Sequence, residues 1–365
     1  MSEPTMTSAT TDTAARTIAH GGNLHEAARR YGIAWETWID LSTGINPHGY
    51  PVPPVPASAW RRLPEDGDGL ADCAARYYGA PDAAHVLPVA GSQAAIRALP
   101  ALLPALLPAL LPALSPRARV AIAPLTYGEY APAFAQAGHT VVPLDVTHAD
   151  LPADATHAVV VNPNNPTAAL IDRDTLLRWH AQLAARGGTL IVDETFADAF
   201  ADTSARSLAN ATDRAGLVVL RSPGKFFGLA GARCGFALAQ PALLAALRER
   251  LGAWTVNGPA RHAVMHAFAD TAWQHAMREQ LAREGARLAA LLRAHGFAPR
   301  ATPLFAWIDD PRAAPLQDAL ARHAVWTRRF DAPASLRFGL PASEEEWQRF
   351  EIALGHAMAT LEASR

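Results

Sequence analysis

Lys225 lies in the run Arg221-Ser222-Pro223-Gly224-Lys225-Phe226-Phe227-Gly228-Leu229-Ala230-Gly231-Ala232-Arg233, with a serine three positions before it and an arginine eight after it. A lysine in a loop is ordinarily solvated, but this one is embedded in apolar and small residues. Burial lowers an amine's pKa and readies it to attack a carbonyl carbon. A second chemical group is the acid in Ile191-Val192-Asp193-Glu194-Thr195-Phe196. It falls at the carboxyl end of an apolar strand, where α/β sheets place ligand-binding groups; a helix-capping Asp is the alternative. A third is Asn162-Pro163-Asn164-Asn165-Pro166-Thr167, which by itself reads as a Pro/Asn turn. Upstream, Ala90-Gly91-Ser92-Gln93-Ala94 follows a strand and opens a helix, where backbone N–H groups suit an anion. Tyr127 follows the next strand and could stack on a planar ring.

Taken together, these groups supply what a pyridoxal-phosphate (PLP) cofactor needs. Lys225 can form the imine. Asp193 can pair with a pyridinium nitrogen and keep it protonated. An asparagine of the third run can donate to the ring's phenolate oxygen, while Ser222 and Arg233 can hold the phosphate, an arginine through a bidentate fork.

The elements that must position these groups follow from hydrophobic patterning. Val120–Ala123, Ala158–Val161, Thr189–Val192, Leu217–Leu220 and Gly235–Leu238 read as short buried strands, with a helical pattern over Arg173–Arg186. Buried strands joined by helical crossovers predict an α/β sheet covered on both faces. After Pro241 the chain turns to long Ala/Leu/Arg helices, interrupted at Trp254–Gly258. Strand-like pieces return at Phe305–Ile308, Val325–Thr327 and Ser335–Gly339, which predicts a smaller α+β lobe. The expected division is a disordered 1–19, an N-terminal segment 20–50 serving the small lobe and the substrate site, a large domain 51–240 and a small domain 241–365.

Composition narrows the function classes. The 365 residues are 50% hydrophobic and 18% charged, with a formal net charge of −2, and show no electrostatic footprint for nucleic acid. Two cysteines, Cys73 and Cys234, do not make a disulfide framework, and the N-terminus lacks the apolar core of a signal peptide, so a cytoplasmic protein is expected. Residues 98–115 are uncharged and nearly long enough to span a bilayer. Pro100, Pro104, Pro108 and Pro112 each remove a helix hydrogen bond, and no membrane span is expected. No metal site is expected either.

The combined motifs resemble the fold-type-I PLP enzymes of the class I/II aminotransferase family, in the branch that holds histidinol-phosphate aminotransferases and threonine-phosphate decarboxylases. The resemblance runs from about His20 to the C-terminus. It implies the aspartate-aminotransferase-like fold, with a large domain built on a mixed, mostly parallel sheet, and a homodimer with active sites near the interface. It also implies roles: Lys225 as the Schiff-base lysine, Asp193 as the pyridinium partner, Asn165 on the phenolate oxygen and Tyr127 as the stacking ring. Gly91, Ser92, Gln93, Ser222 and Arg233 form the phosphate cup.

The same cofactor serves several reactions, so substrate groups must decide between them. His20-Gly21-Gly22-Asn23-Leu24-His25-Glu26-Ala27-Ala28 and Asp40-Leu41-Ser42-Thr43-Gly44-Ile45-Asn46-Pro47-His48-Gly49 are similar to the opening of threonine-phosphate decarboxylases of cobalamin biosynthesis. The resemblance therefore implies decarboxylation of L-threonine O-3-phosphate, with transamination of histidinol phosphate or a related phosphorylated amino acid as the alternative. His20, Gly21 and Gly22 would bind the substrate phosphate. Arg337 matches a carboxylate-binding arginine and Arg328 another substrate-site arginine, with Asn46 and Asn257 as further contacts. Phe196 stands where the aminotransferases carry a tyrosine that bonds the phenolate oxygen, a bond that phenylalanine cannot make. Two departures stand out: Leu63 in Arg62-Leu63-Pro64 replaces a tyrosine that reaches across the dimer, and Ala168 replaces a glycine.

Overall fold

The computed structural model describes residues 20–103, 118–146 and 150–363. The segment 1–19 and most of the proline-rich run, residues 104–117, lie outside the described residues.

Among the described residues, twelve strands form two sheets. In chain order they are β1 (Ile39–Leu41), β2 (Val86–Val89), β3 (Arg119–Ile122), β4 (Thr140–Pro143), β5 (His157–Val161), β6 (Thr189–Asp193), β7 (Leu217–Arg221), β8 (Gly235–Leu238), β9 (Arg300–Ala301), β10 (Ala306–Asp309), β11 (Val325–Asp331) and β12 (Ala334–Phe338). The larger sheet has the order β2-β8-β7-β6-β5-β3-β4. Strands β3 to β7 run parallel to one another, and β8 is antiparallel to both its neighbours, β2 and β7.

The apolar runs of β5 and β6 are continuous because both faces of the sheet are covered. Val159, Val161 and Ile191 pack on one side with Tyr130 and Phe134, whereas Ala158, Val160, Leu190 and Val192 pack on the other with Trp179. Side-chain alternation along β6 puts Asp193 on the same face as Ile191, the face that holds Tyr130. The helix Pro241–Leu251 packs on this face through Leu243, Leu244 and Leu247, so the change of character at Pro241 precedes the change of layer.

The smaller sheet has the order β1-β11-β12-β10-β9, antiparallel except for the β1–β11 pair. β1 brings the N-terminal segment into this sheet, with Ile39 opposite Val325 and Leu41 opposite Thr327. Three residues are too few to display a strand period, so β1 was invisible to patterning. The same holds for β4, whose alternating exposure leaves only Val142 buried. Among the described residues, no helix is long and apolar enough to cross a membrane.

Candidate active site

Lys225 follows β7 by four residues, in a loop pinned from the N-terminal segment. The Asn46 N–H donates to the Lys225 carbonyl at 3.0 Å, and Asn46 Nδ2 donates to the Phe226 carbonyl at 2.8 Å. The amine opens on a cleft but is otherwise surrounded by protein, 5.4 Å from the centre of the Phe196 ring. Loss of water lowers its pKa to about 8, helped by the charges of Arg337 and Arg233 and opposed by Asp193.

Asp193, at the carboxyl end of β6, is 4% exposed. Its Oδ1 accepts the Thr195 N–H at 2.9 Å and its Oδ2 accepts the Tyr130 hydroxyl at 2.8 Å. Burial pushes the carboxyl pKa up; the bonds from Thr195 and Tyr130 and the charge of Lys225 pull it back. A carboxylate held this way in a dry site favours a cationic partner that directs an N–H at it.

Gly91, Ser92, Gln93, Ser222, Lys225 and Arg233 line one chamber, together with Tyr127, Asn165, Asp193 and Phe196. Gly91 has φ +74°, and a Cβ there would stand 2.9 Å from Arg233 Nη2. A Cβ on Gly235 would come within 2.4 Å of the Ser92 backbone nitrogen. Two glycines thus let the loop after β2 close on the arginine and the start of β8, leaving a bare backbone cradle beside a cation. Ser222 Oγ accepts the Gly224 N–H at 3.2 Å, which leaves its hydroxyl hydrogen for a ligand. The Tyr127 hydroxyl donates to Gln93 Oε1 at 3.0 Å, fixing its ring as a wall of the chamber.

A second chamber shares Tyr127, Asn165, Lys225, Ala230 and Arg233 with the first and adds His20, Gly21, Thr43, Arg328 and Arg337. Arg328 and Arg337 face each other in register across β11 and β12. Arg337 donates through Nη1 to Asn165 Oδ1 and through Nη2 to the Ser42 carbonyl at 2.6 Å, while its Nε has no protein acceptor. Burial and the neighbouring Arg328 lower its pKa to about 10. Gly21 lies so close to Ser42 that a Cβ would stand 2.4 Å from the Ser42 carbonyl oxygen. The Gly22 N–H is taken by Ser42 Oγ at 2.6 Å, which is itself bonded to Asp40. His20 Nε2 lies 2.9 Å from Glu129 Oε1.

Three expected substrate contacts, Gly22, Asn46 and Asn257, line neither chamber; the Gly22 N–H is bonded to Ser42. Asn46 accepts the His48 N–H at 2.9 Å as well as donating to Phe226, so its side chain is occupied in holding the lysine loop. Asn257 caps the helix Gly258–Ala269, accepting the Ala260 N–H at 2.9 Å, and lines neither chamber. The sequence reading also missed Tyr130, Thr195, Ser42 and Glu129. Tyr130 had a signal, its place in the same turn as Tyr127; Glu129 had none. Among the described residues, no group of three or more His, Cys, Asp or Glu could hold a metal ion.

Behind the site lies an ion triad. Arg221 bonds Glu194 at 2.5 Å and also Asp198, all three within 2% exposure, and its guanidinium sits 4.5 Å from the Tyr78 ring centre. The triad fixes the carboxyl ends of β6 and β7, from which Asp193 and the lysine loop emerge.

An amine of lowered basicity, a buried carboxylate, an aromatic wall and a glycine-and-arginine cradle make a donor set that fits PLP. The sequence model of class I and II aminotransferases matches residues 66–354. A threonine-phosphate decarboxylase of Pseudomonas aeruginosa is 49% identical, over 92% of this chain and 97% of that protein. Another, of Sinorhizobium sp., is 41% identical over the same shares. Among solved structures, histidinol-phosphate aminotransferase from Sinorhizobium meliloti in complex with pyridoxal-5'-phosphate superposes with a TM-score of 0.78 at 17% identity, over 97% of this chain and 99% of that one. L-threonine-O-3-phosphate decarboxylase from Porphyromonas gingivalis gives 0.70 at 19% identity, over 88% and 99%. At these identities the structural likeness shows the fold, which is that of the PLP-dependent aminotransferases. The chain belongs to the class I and II aminotransferase family.

Proposed function

We propose that the protein is a PLP-dependent carboxy-lyase that converts L-threonine O-3-phosphate to (R)-1-amino-2-propanol O-2-phosphate and carbon dioxide, for cobalamin biosynthesis. The observation that carries this reading is the second chamber. Arginines Arg328 and Arg337 and the His20 imidazole surround one opening onto Lys225, giving separate cations for a carboxylate and for a phosphate. Identity of 49% to a protein named for this activity supports the same substrate.

Bound PLP supplies an electron sink for the pair left on the substrate's α-carbon when the carboxylate departs. The chain's own residues do the rest. Gly91, Ser92, Gln93, Ser222 and Arg233 would hold the cofactor phosphate, Tyr127 would stack on its ring, and Asn165 would donate to the phenolate oxygen. Asp193 would keep the pyridinium nitrogen protonated. Lys225 would anchor the cofactor, and its Nζ, once freed by the substrate amine, would hold the proton that returns to the substrate α-carbon. Arg337 would grip the substrate carboxylate and so orient the α-carbon bond that breaks. His20 and Arg328 take the phosphate. Phe196 and Phe305, edge-on at 5.2 Å, form an apolar wall near the amine that keeps water away.

Phe196 favours this reading over transamination of histidinol phosphate, because it leaves the phenolate oxygen without a hydroxyl donor at that position. The same reading takes the protein as a cytoplasmic homodimer. Trp60, Leu63 and Trp254 are each more than 60% exposed, and the backbones of Ala59 and Gly258 meet closely between them, an apolar face that a second copy would cover. The test is incubation of the PLP-loaded protein with L-threonine O-3-phosphate while carbon dioxide and the cofactor spectrum are followed. Carbon dioxide with an unchanged cofactor supports the reading; pyridoxamine phosphate without carbon dioxide sinks it.

A further inference from the structure

We infer that Glu129 is a positioning residue that makes the site selective for a phosphorylated side chain, by holding the His20 imidazole over the cleft. This inference rests on the decarboxylase reading above. Glu129 precedes the helix Tyr130–Gln136, and its side chain is 7% exposed. A carboxylate that deep needs cationic partners. It has two: His20 Nε2 at 2.9 Å on Oε1, and Arg97 Nε at 3.4 Å from Oε2, which makes no hydrogen bond. The imidazole is therefore the closer partner, and its N–H donates to Glu129.

His20 is half-exposed and lines the second chamber, with its ring centre 6.3 Å from that of Tyr127. With Nε2 committed to Glu129, Nδ1 is the ring's remaining polar atom, and no protein group among the described residues takes it. A ring that gives its Nε2–H to the Glu129 carboxylate turns Nδ1 to the cleft, where it can meet a phosphate oxygen. Gly21 and Gly22, fixed against Ser42, set where the ring hangs. One short turn thus serves three ends: the Tyr127 ring, the Glu129 carboxylate and the Tyr130 hydroxyl on Asp193.

A purely structural Glu129 would anchor the N-terminal segment and affect every ligand alike. Binding of the product 1-amino-2-propanol O-2-phosphate and of its unphosphorylated analogue 1-amino-2-propanol to the PLP-loaded protein separates the two roles by calorimetric titration. Neither compound can lose carbon dioxide. Glu129→Gln keeps an acceptor for the imidazole N–H but removes the charge. It is expected to weaken the phosphate ester about tenfold and leave the amino alcohol within about twofold, the size of one charge-assisted hydrogen bond. His20→Asn is expected to show the same selective loss, and the double variant to add little to it. Equal weakening of both ligands, or of neither, overturns the inference, as does a wild-type protein that binds the ester no more tightly than the amino alcohol. Carbon dioxide release from L-threonine O-3-phosphate by the wild type is measured alongside. Its absence sinks the decarboxylase reading, whereas the phosphate role of Glu129 is decided by the titrations.

Discussion

The Tyr130 hydroxyl donates to Asp193 Oδ2 at 2.8 Å across 63 positions of sequence, and both side chains are buried on the same face of the large sheet. Two influences act against each other at this carboxylate. Burial favours the neutral acid, which cannot pair with a pyridinium; Tyr130 and Thr195 favour the anion. The site works only while the second influence holds, so the tyrosine acts on the electrostatics of the cofactor site rather than serving as filler in the core.

Tyr130→Phe removes one of those donors and leaves the ring's packing in place. The Asp193 pKa then rises further, because the anion has lost a hydrogen bond. Expected are a fall in kcat of about tenfold, from the roughly 1–2 kcal/mol that such a bond is worth, and an acid limb of the pH–kcat profile moved to higher pH. An unshifted acid limb would remove the tyrosine from the electrostatic account.

The lowered pKa of Lys225, about 8, gives a second expectation. Only the neutral amine attacks an aldehyde, so the rate at which the cofactor-free protein captures PLP should rise through a midpoint near pH 8. Arg337→Gln removes a neighbouring positive charge, which must move that midpoint upward. Lys225→Ala should abolish the absorbance of lysine-linked cofactor altogether. A wild-type midpoint at the ordinary lysine value would show that the amine is wet in solution.

Lys225, Asp193 and Asn165 could be placed from the sequence because each sits at the end of, or just beyond, a strand whose apolar run is visible, and Arg233 because it lies two residues before one. Their chemistry is carried by residue type alone. Tyr130, Ser42 and Glu129 were not, because each acts through a partner that no local pattern links to it: Glu129 meets His20 across 109 positions. Asn46 was misplaced for the same reason. An asparagine in a glycine-rich loop looks available to a ligand, and only the fold shows its amide bonded to Phe226 and its carbonyl to His48. The strands β5 to β8 matched their apolar runs within a residue at each end, whereas the short β1 and the half-exposed β4 had no run to read.

Arg221 tests how the site is supported. Arg221→Met leaves Glu194 and Asp198 buried without their cation, and breaking a buried pair in this way costs about 3–5 kcal/mol. A large drop in denaturant midpoint is expected, with partial recovery when Glu194→Gln and Asp198→Asn are added. A single variant that loses less than about 1 kcal/mol would mean that water reaches the triad.

Gly91 combines φ +74° with the proximity of Arg233, so Gly91→Ala strains the backbone and pushes the guanidinium aside. Strain of this kind costs about 1–3 kcal/mol, and the displaced cation belongs to the proposed phosphate cradle. PLP retention on dialysis should weaken about tenfold or more, with circular dichroism unchanged. Full retention would place the cofactor phosphate elsewhere.

Phe196→Tyr asks whether a single hydroxyl decides the reaction. The Phe196 ring is fixed edge-on to Phe305 and lines the cofactor chamber, so the new hydroxyl would enter a space already bounded by Lys225 and Asn165. It can donate to the phenolate oxygen and draw electron density from the ring. It does not move Arg337, the group proposed to set the bond that breaks. Decarboxylation should therefore persist with a lowered kcat, and pyridoxamine phosphate should not accumulate over many turnovers. If it does accumulate, the choice between losing carbon dioxide and exchanging the amino group lies at the phenolate oxygen rather than in the grip on the carboxylate, and Phe196 is then what makes this chain a lyase.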